Sequence, residues 1–118
     1  MANPYGVPGY SVVEVAARRA RGESFVLLDV REPYELELAN LGRGVVHVPL
    51  SQLVAHRQAA LPPALAEREG EVVVFCHHGQ RSSQVAAWLR GLGYTQVFNM
   101  DGGIDAWASE VDPSVGFY

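Results

Sequence analysis

Two short stretches constrain the fold more than anything else in this chain. They are FVLLDV (Phe25 to Val30) and VVVFC (Val72 to Cys76), and each is apolar along nearly its whole length. A strand with one wet face alternates polar and apolar side chains, whereas a strand covered on both faces does not. Both runs are too short for an ordinary helix and rich in β-branched residues, so they read as fully covered strands. Parallel sheets between helical layers supply that cover.

Helical patterns stand between the strands, as that architecture demands. Ser11 and Glu14 form an S-x-x-E capping box, and a helix should run to about Arg21 with Gly22 ending it. Pro33 marks a helix start and Gly42 its end. VVHVPL is a short strand stopped by Pro49, and Ser51 is placed to cap the helix after it. A helix is expected over Ser82 to Leu92, a last strand at QVFNM and a last helix at GGIDAWASEV. The Gly/Pro-rich opening, residues 1 to 9, reads as a loose or extended lead-in. The expectation is one α/β domain over residues 1 to 118, with its core at about 10 to 113 and a mainly parallel sheet.

In such sheets ligands bind beyond the carboxyl ends of the strands. Cys76 ends one expected strand, and Asp29 and Arg31 end another. Cys76 is the only cysteine, so it cannot form a disulfide within the chain or supply a multi-thiolate metal site. It precedes a helix by a few residues, and a helix N-terminus favours a thiolate. The backbone N–H groups from His77 through Ser82 can curl into an anion cradle. Gly79 would supply the positive φ of that curl, Gln80 lies within it, and Ser82 is placed to cap the helix. Arg81 is a fixed cation able to pin the loop or hold an anionic substrate.

A lone cysteine is most often an inert, buried small hydrophobe. That reading leaves Gly79, Arg81 and Ser82 in order unexplained, so Cys76 is read as a nucleophile. Cys76, His77 and His78 are consecutive, and their side chains do not easily converge on one ion. No metal is therefore expected, and the two histidines read as solvent-facing residues that tune charge and specificity. Asp29 is read as orienting the loop rather than reacting. Trp88 and Trp107 are expected in the core.

Composition narrows the function classes. The net charge is -4 and the nine cations are all arginines, scattered along the chain. That balance lacks the clustered cations of a sequence-independent nucleic-acid grip. No run approaches the ~20 apolar residues of a membrane span. The first residues have neither a cationic start nor a long apolar run, and a single thiol fits a reducing compartment, so a cytoplasmic protein is expected.

At the Cys76 loop the sequence resembles the rhodanese homology domain, a family of sulfurtransferases. Its single-domain members carry Cys-x-x-Gly-x-Arg-Ser/Thr, which here reads Cys76-His77-His78-Gly79-Gln80-Arg81-Ser82. The segments from Leu27 to Leu36 and from Val97 to Trp107 resemble two further family segments. The resemblance spans about Tyr10 to Pro113. It departs where Asn40 and Leu41 replace a usual Gly-His and Arg43 replaces a proline.

The resemblance implies a three-layer α/β/α fold with a central sheet of about five strands. It implies sulfur transfer through a persulfide on Cys76, without a cofactor, from a donor such as thiosulfate to cyanide or a thiol. Arg81 would hold the loop and the donor's charge, and Arg31 would assist. A persulfide carrier serving a sulfur-relay partner is the alternative. A cysteine phosphatase of the same architecture ranks below both: such enzymes put five residues between Cys and Arg, and here four intervene.

Overall fold

The computed structural model describes residues 3–118. In chain order the elements are β1 (Gly9–Tyr10), α1 (Val12–Ala20), β2 (Val26–Asp29), α2 (Pro33–Leu36), β3 (Val45–His47), α3 (Leu50–His56), β4 (Glu71–Phe75), α4 (Gln80–Gly91), β5 (Gln96–Met100) and α5 (Gly103–Glu110). Single 3-10 turns follow α3 and α5 and precede β4. The five strands form one parallel sheet in the order β1-β5-β4-β2-β3.

The two apolar stretches are the adjacent central strands β2 and β4, in register from Val26 against Val72 to Asp29 against Phe75. Alternation within them splits the core in two. Leu28, Val72 and Val74 face a cluster with Val85 and Leu89 of α4. Leu27, Val73 and Phe75 face the other cluster, with Val12 and Val15 of α1 and Ile104 and Trp107 of α5. At about 25 cal/mol per Å² of apolar area, each of these side chains contributes roughly 1.5–3 kcal/mol. Trp107 is buried as expected, while Trp88 is only partly covered.

Several boundaries differ from the sequence reading, each for a physical reason. The capping box is present: Ser11 Oγ accepts from the Glu14 N–H, and Glu14 accepts from the Ser11 N–H. Helix α2 is a single turn rather than a helix reaching Gly42. The N–H of Asn40 is drawn away to the carbonyl of Val115, at 2.9 Å, and cannot continue the helical ladder. Ser51 does not cap α3; Pro49 precedes the helix, and Ser51 Oγ donates to Glu32 Oε1 at 2.6 Å. Arg57, at φ 51, ends α3, and a 3-10 turn over Arg57–Ala60 follows. Within the described part of the opening, Asn3 brackets Val7, which is buried, and Gly9–Tyr10 adds an edge strand beside β5. Of the two forms expected for the lead-in, the described residues at its end take the extended one and are tied down. No helix among the described residues is long and apolar enough to cross a membrane.

Candidate active site

Cys76 follows β4 directly and is 1% exposed. The chain leaves the sheet there and re-enters order at α4, whose N-cap is Gly79 at φ 106. A Cβ at Gly79 would stand 3.3 Å from the Gly102 nitrogen, so backbone angle and space both ask for glycine. The resulting curl aims two N–H groups at one atom: Gly79 N lies 3.1 Å and Ser82 N 3.4 Å from Cys76 Sγ. With the α4 dipole behind them, they form a cradle for a negative sulfur.

Ser82 is not the expected helix cap. It sits buried in the first turn, its Oγ 3.4 Å from the sulfur and donating to Asn99 Oδ1 at 2.5 Å. Asn99 in turn donates to Asp101 at 2.9 Å. The hydroxyl therefore accepts from a thiol and, by rotating, can donate to an anionic sulfur. The loop is also held from below. The N–H groups of Ile104 and Asp105 bond the carbonyls of Cys76 and His77 at 2.9 and 3.0 Å. Gly103 allows that contact, because a Cβ there would collide with both carbonyls.

Arg81 is 32% exposed and makes a two-pronged ion pair with Glu35 of α2, at 2.7 and 2.8 Å. Glu35 is nearly buried, at 4%. The Arg81 guanidinium holds the Glu35 carboxyl down at about 2, overcoming the effect of burial. Glu35 correspondingly raises the pKa of Arg81, so the cation is permanent. The sequence offered no way to choose Glu35 among thirteen acidic residues.

Asp29 and Arg31 form a second pair, buried beside the first. Arg31 Nη2 lies 2.8 Å from Asp29 Oδ2, and Arg31 Nε 3.1 Å from Oδ1. The guanidinium is 0% exposed and also donates to the Glu35 carbonyl. Arg31 thus supports the loop's surroundings from inside, with no surface toward a donor.

His78 is exposed as read, but His77 is half-buried, its ring stacked on Tyr118 with centroids 3.7 Å apart and planes 7° apart. Burial, and then the nearby His78, push the His77 pKa below its ordinary value. Asp105, which the sequence did not single out, lies 3.8 Å from His78 Nδ1. The side-chain ligand atoms of His77, His78 and Asp105 come within 4.8 Å of one another, and Cys76 is not of that group. Gln80 begins α4 as an exposed residue, its carbonyl accepting from Ser83 Oγ. The segment at Asn40 and Leu41 bonds to Arg19 and Val115, and none of its hydrogen bonds among the described residues reaches the Cys76 loop.

A sulfur cradled at the carboxyl end of a parallel sheet is what the Cys-x-x-Gly-x-Arg-Ser spacing led one to expect. Residues 11–110 match the rhodanese-like domain family. The chain belongs to that family. A sulfurtransferase of Allochromatium vinosum is 33% identical over 86% of this chain and 88% of its own length. The human single-domain sulfurtransferase TSTD1 superposes with a TM-score of 0.71 at 30% identity, covering 89% of this chain and 98% of that one. A rhodanese-like/PpiC domain-containing protein 12 of Arabidopsis thaliana chloroplasts is 40% identical over 78% of this chain, which spans only 30% of that longer relative. The rhodanese-like family and its three-layer α/β fold are therefore established for this chain, and its relatives include sulfurtransferases.

Proposed function

We propose that the chain transfers a sulfane sulfur from a small anionic donor, such as thiosulfate, to cyanide or a thiol through Cys76. The convergence of the Gly79 and Ser82 N–H groups on Cys76 Sγ carries the reading. In the first step the Cys76 thiolate attacks the outer sulfur of the donor. The S–S bond of thiosulfate breaks, and sulfite leaves with the bonding pair. The outer sulfur of the new persulfide then bears the negative charge. In the second step the acceptor attacks that sulfur, and the pair of the persulfide bond returns to Cys76 as thiolate. The cycle balances in atoms and electrons and is covalent ping-pong catalysis.

The cradle stabilises the sulfur anion at the start and end of the cycle, the kind of preorganised donor arrangement that lowers such barriers most. Arg81 supplies the permanent positive charge for the donor's anionic end. Four residues between Cys76 and Arg81 make a tighter ring than a tetrahedral phosphate wants, which supports sulfur over phosphate. The acceptor is a small thiophile, or a relay protein if the chain works as a carrier.

Steady-state thiocyanate formation with thiosulfate and cyanide varied together tests this. Parallel double-reciprocal lines are expected, and none of the activity should remain in Cys76→Ser. Intersecting lines, or activity that survives the substitution, would sink the persulfide mechanism. Loading of Cys76 with negligible turnover on either small acceptor would instead favour the carrier.

A further inference from the structure

Beyond α5 the chain makes a 3-10 turn at Pro113–Val115 and returns to the catalytic end of the sheet. It is seated tightly there. Val115 accepts from Asn40, and Gly116, at φ 108, lies so close to the Leu38 carbonyl that a Cβ would collide with it. This seating delivers one side chain, Tyr118, to three functional groups at once. Its hydroxyl donates to Glu35 Oε1 at 2.8 Å and accepts from Arg31 Nη1 at 3.2 Å. Its ring lies flat on His77 of the Cys76 loop. Glu35 is the partner of Arg81, and Arg31 is the partner of Asp29. The Tyr118 hydroxyl therefore links the side chains of the two ion pairs beside the cysteine, in addition to the bond from Arg31 to the Glu35 carbonyl.

We propose that Tyr118 is a positioning residue for the anionic sulfur donor, fixing the Arg81 guanidinium through Glu35 while its ring packs the Cys76 loop against the two ion pairs. The proposal rests on the reading of Cys76 as the sulfur-accepting nucleophile. The geometry makes the role specific. Glu35 accepts two bonds from Arg81, one from Tyr118 at Oε1 and one from the Glu32 N–H at Oε2, so four donors fix its carboxylate plane. The carboxylate plane in turn sets where a planar, two-pronged guanidinium points. Removing the hydroxyl leaves the Arg81 pair intact in charge but takes the second donor from Oε1, so the carboxylate can pivot about Oε2, which the Glu32 N–H still holds. Burial, first of all, raises the Tyr118 pKa to about 12, so the hydroxyl keeps its proton to donate throughout the ordinary range.

Two variants separate positioning from mere anchoring. Tyr118→Phe keeps the stack on His77 and loses the hydroxyl; Tyr118→Ala loses both. In Tyr118→Phe the KM for thiosulfate should rise about threefold to tenfold, with kcat changed less than about twofold, as expected when a ground-state anchor is loosened. Tyr118→Ala should lose kcat as well. A second readout needs no turnover: the rate of Cys76 alkylation by anionic iodoacetate divided by that for neutral iodoacetamide reports the positive charge presented to an incoming anion. That ratio should fall about threefold or more in Tyr118→Phe, in step with KM.

If the wild type alkylates with this preference but never forms thiocyanate, the sulfur-transfer reading fails while the fall in the ratio still upholds the positioning. If the wild type turns over, and Tyr118→Phe changes neither KM nor the ratio while lowering only the melting temperature, Tyr118 is a structural anchor and the proposal is overturned.

Discussion

The molecule has two arginine-centred clusters at opposite ends of its sheet, and their contrast is instructive. At the start of β4, Arg18 bonds Glu71 with both terminal nitrogens, at 2.7 and 2.6 Å, and Glu23 through Nε. Beyond the far ends of the strands, Arg81 grips Glu35 with the same two-pronged geometry and Arg31 grips Asp29. The chemistry of the pairs is alike, but the surroundings are not. Around Arg18 stand Tyr10, Phe25 and the sheet edge. Around Arg81 stand a cradled sulfur, a helix N-terminus and a stacked histidine. Ligands bind beyond the carboxyl ends of the strands in such sheets, and only the second cluster lies there. The Arg18 cluster fastens α1 to the sheet, and the Arg81 cluster borders the candidate site.

Substitutions at the two ends should therefore fail in different ways. The largest effect is expected at the sulfur: Cys76→Ala should reduce transfer to background while costing only ~1 kcal/mol of stability, because it removes one buried atom. Urea unfolding beside the transfer assay reads both. Next, Arg81→Ala should lower kcat/KM for an anionic donor by about 10- to 100-fold, which is ~1–3 kcal/mol of lost charge-assisted contact. It should also destabilise the fold by leaving the Glu35 carboxylate buried without its partner. A variant whose donor KM stays unchanged would detach Arg81 from the site.

Glu35 gives the comparison a pH axis. Its folded pKa, about 2, lies below the ordinary 4.5. Its ionised form therefore stabilises the fold fully above about 4.5, and the contribution, roughly 3 kcal/mol, is lost as the pH falls toward 2. Glu35→Gln lacks this pH-dependent contribution. The stability gap between wild type and Glu35→Gln should thus be wide at pH 7 and close on acidification; a gap independent of pH would contradict the assigned ion pair. The smallest effect belongs to the other end. Arg18→Ala should cost about 1–2 kcal/mol of stability and leave kcat/KM of the folded enzyme within about twofold. A large loss of activity there would erase the distinction between the two ends.

How much of this could be read in the sequence follows from the distance over which each signal acts. The strands were legible because burial on both faces writes itself into consecutive residues, as in FVLLDV and VVVFC. The cradle was legible because Cys76, Gly79 and Ser82 lie within one turn of loop and helix. The partners were not. Arg81 meets Glu35 across 46 positions, Ser82 meets Asn99 across 17, and Tyr118 meets Glu35 across 83. No local periodicity encodes such meetings, which arise only once the sheet has aligned its strand ends. The same reason explains the short α2 and the misread Ser51. Asn40 is claimed by the tail and Ser51 by Glu32, partners that local capping rules do not see.

The most direct test of the central claim is the intact mass of the protein after incubation with thiosulfate, and again after cyanide. The account predicts a gain of one sulfur atom that cyanide removes and that Cys76→Ser never acquires. A sulfur gained equally by Cys76→Ser, or a mass that stays unchanged for the wild type with thiosulfate and with other sulfane donors alike, would contradict it.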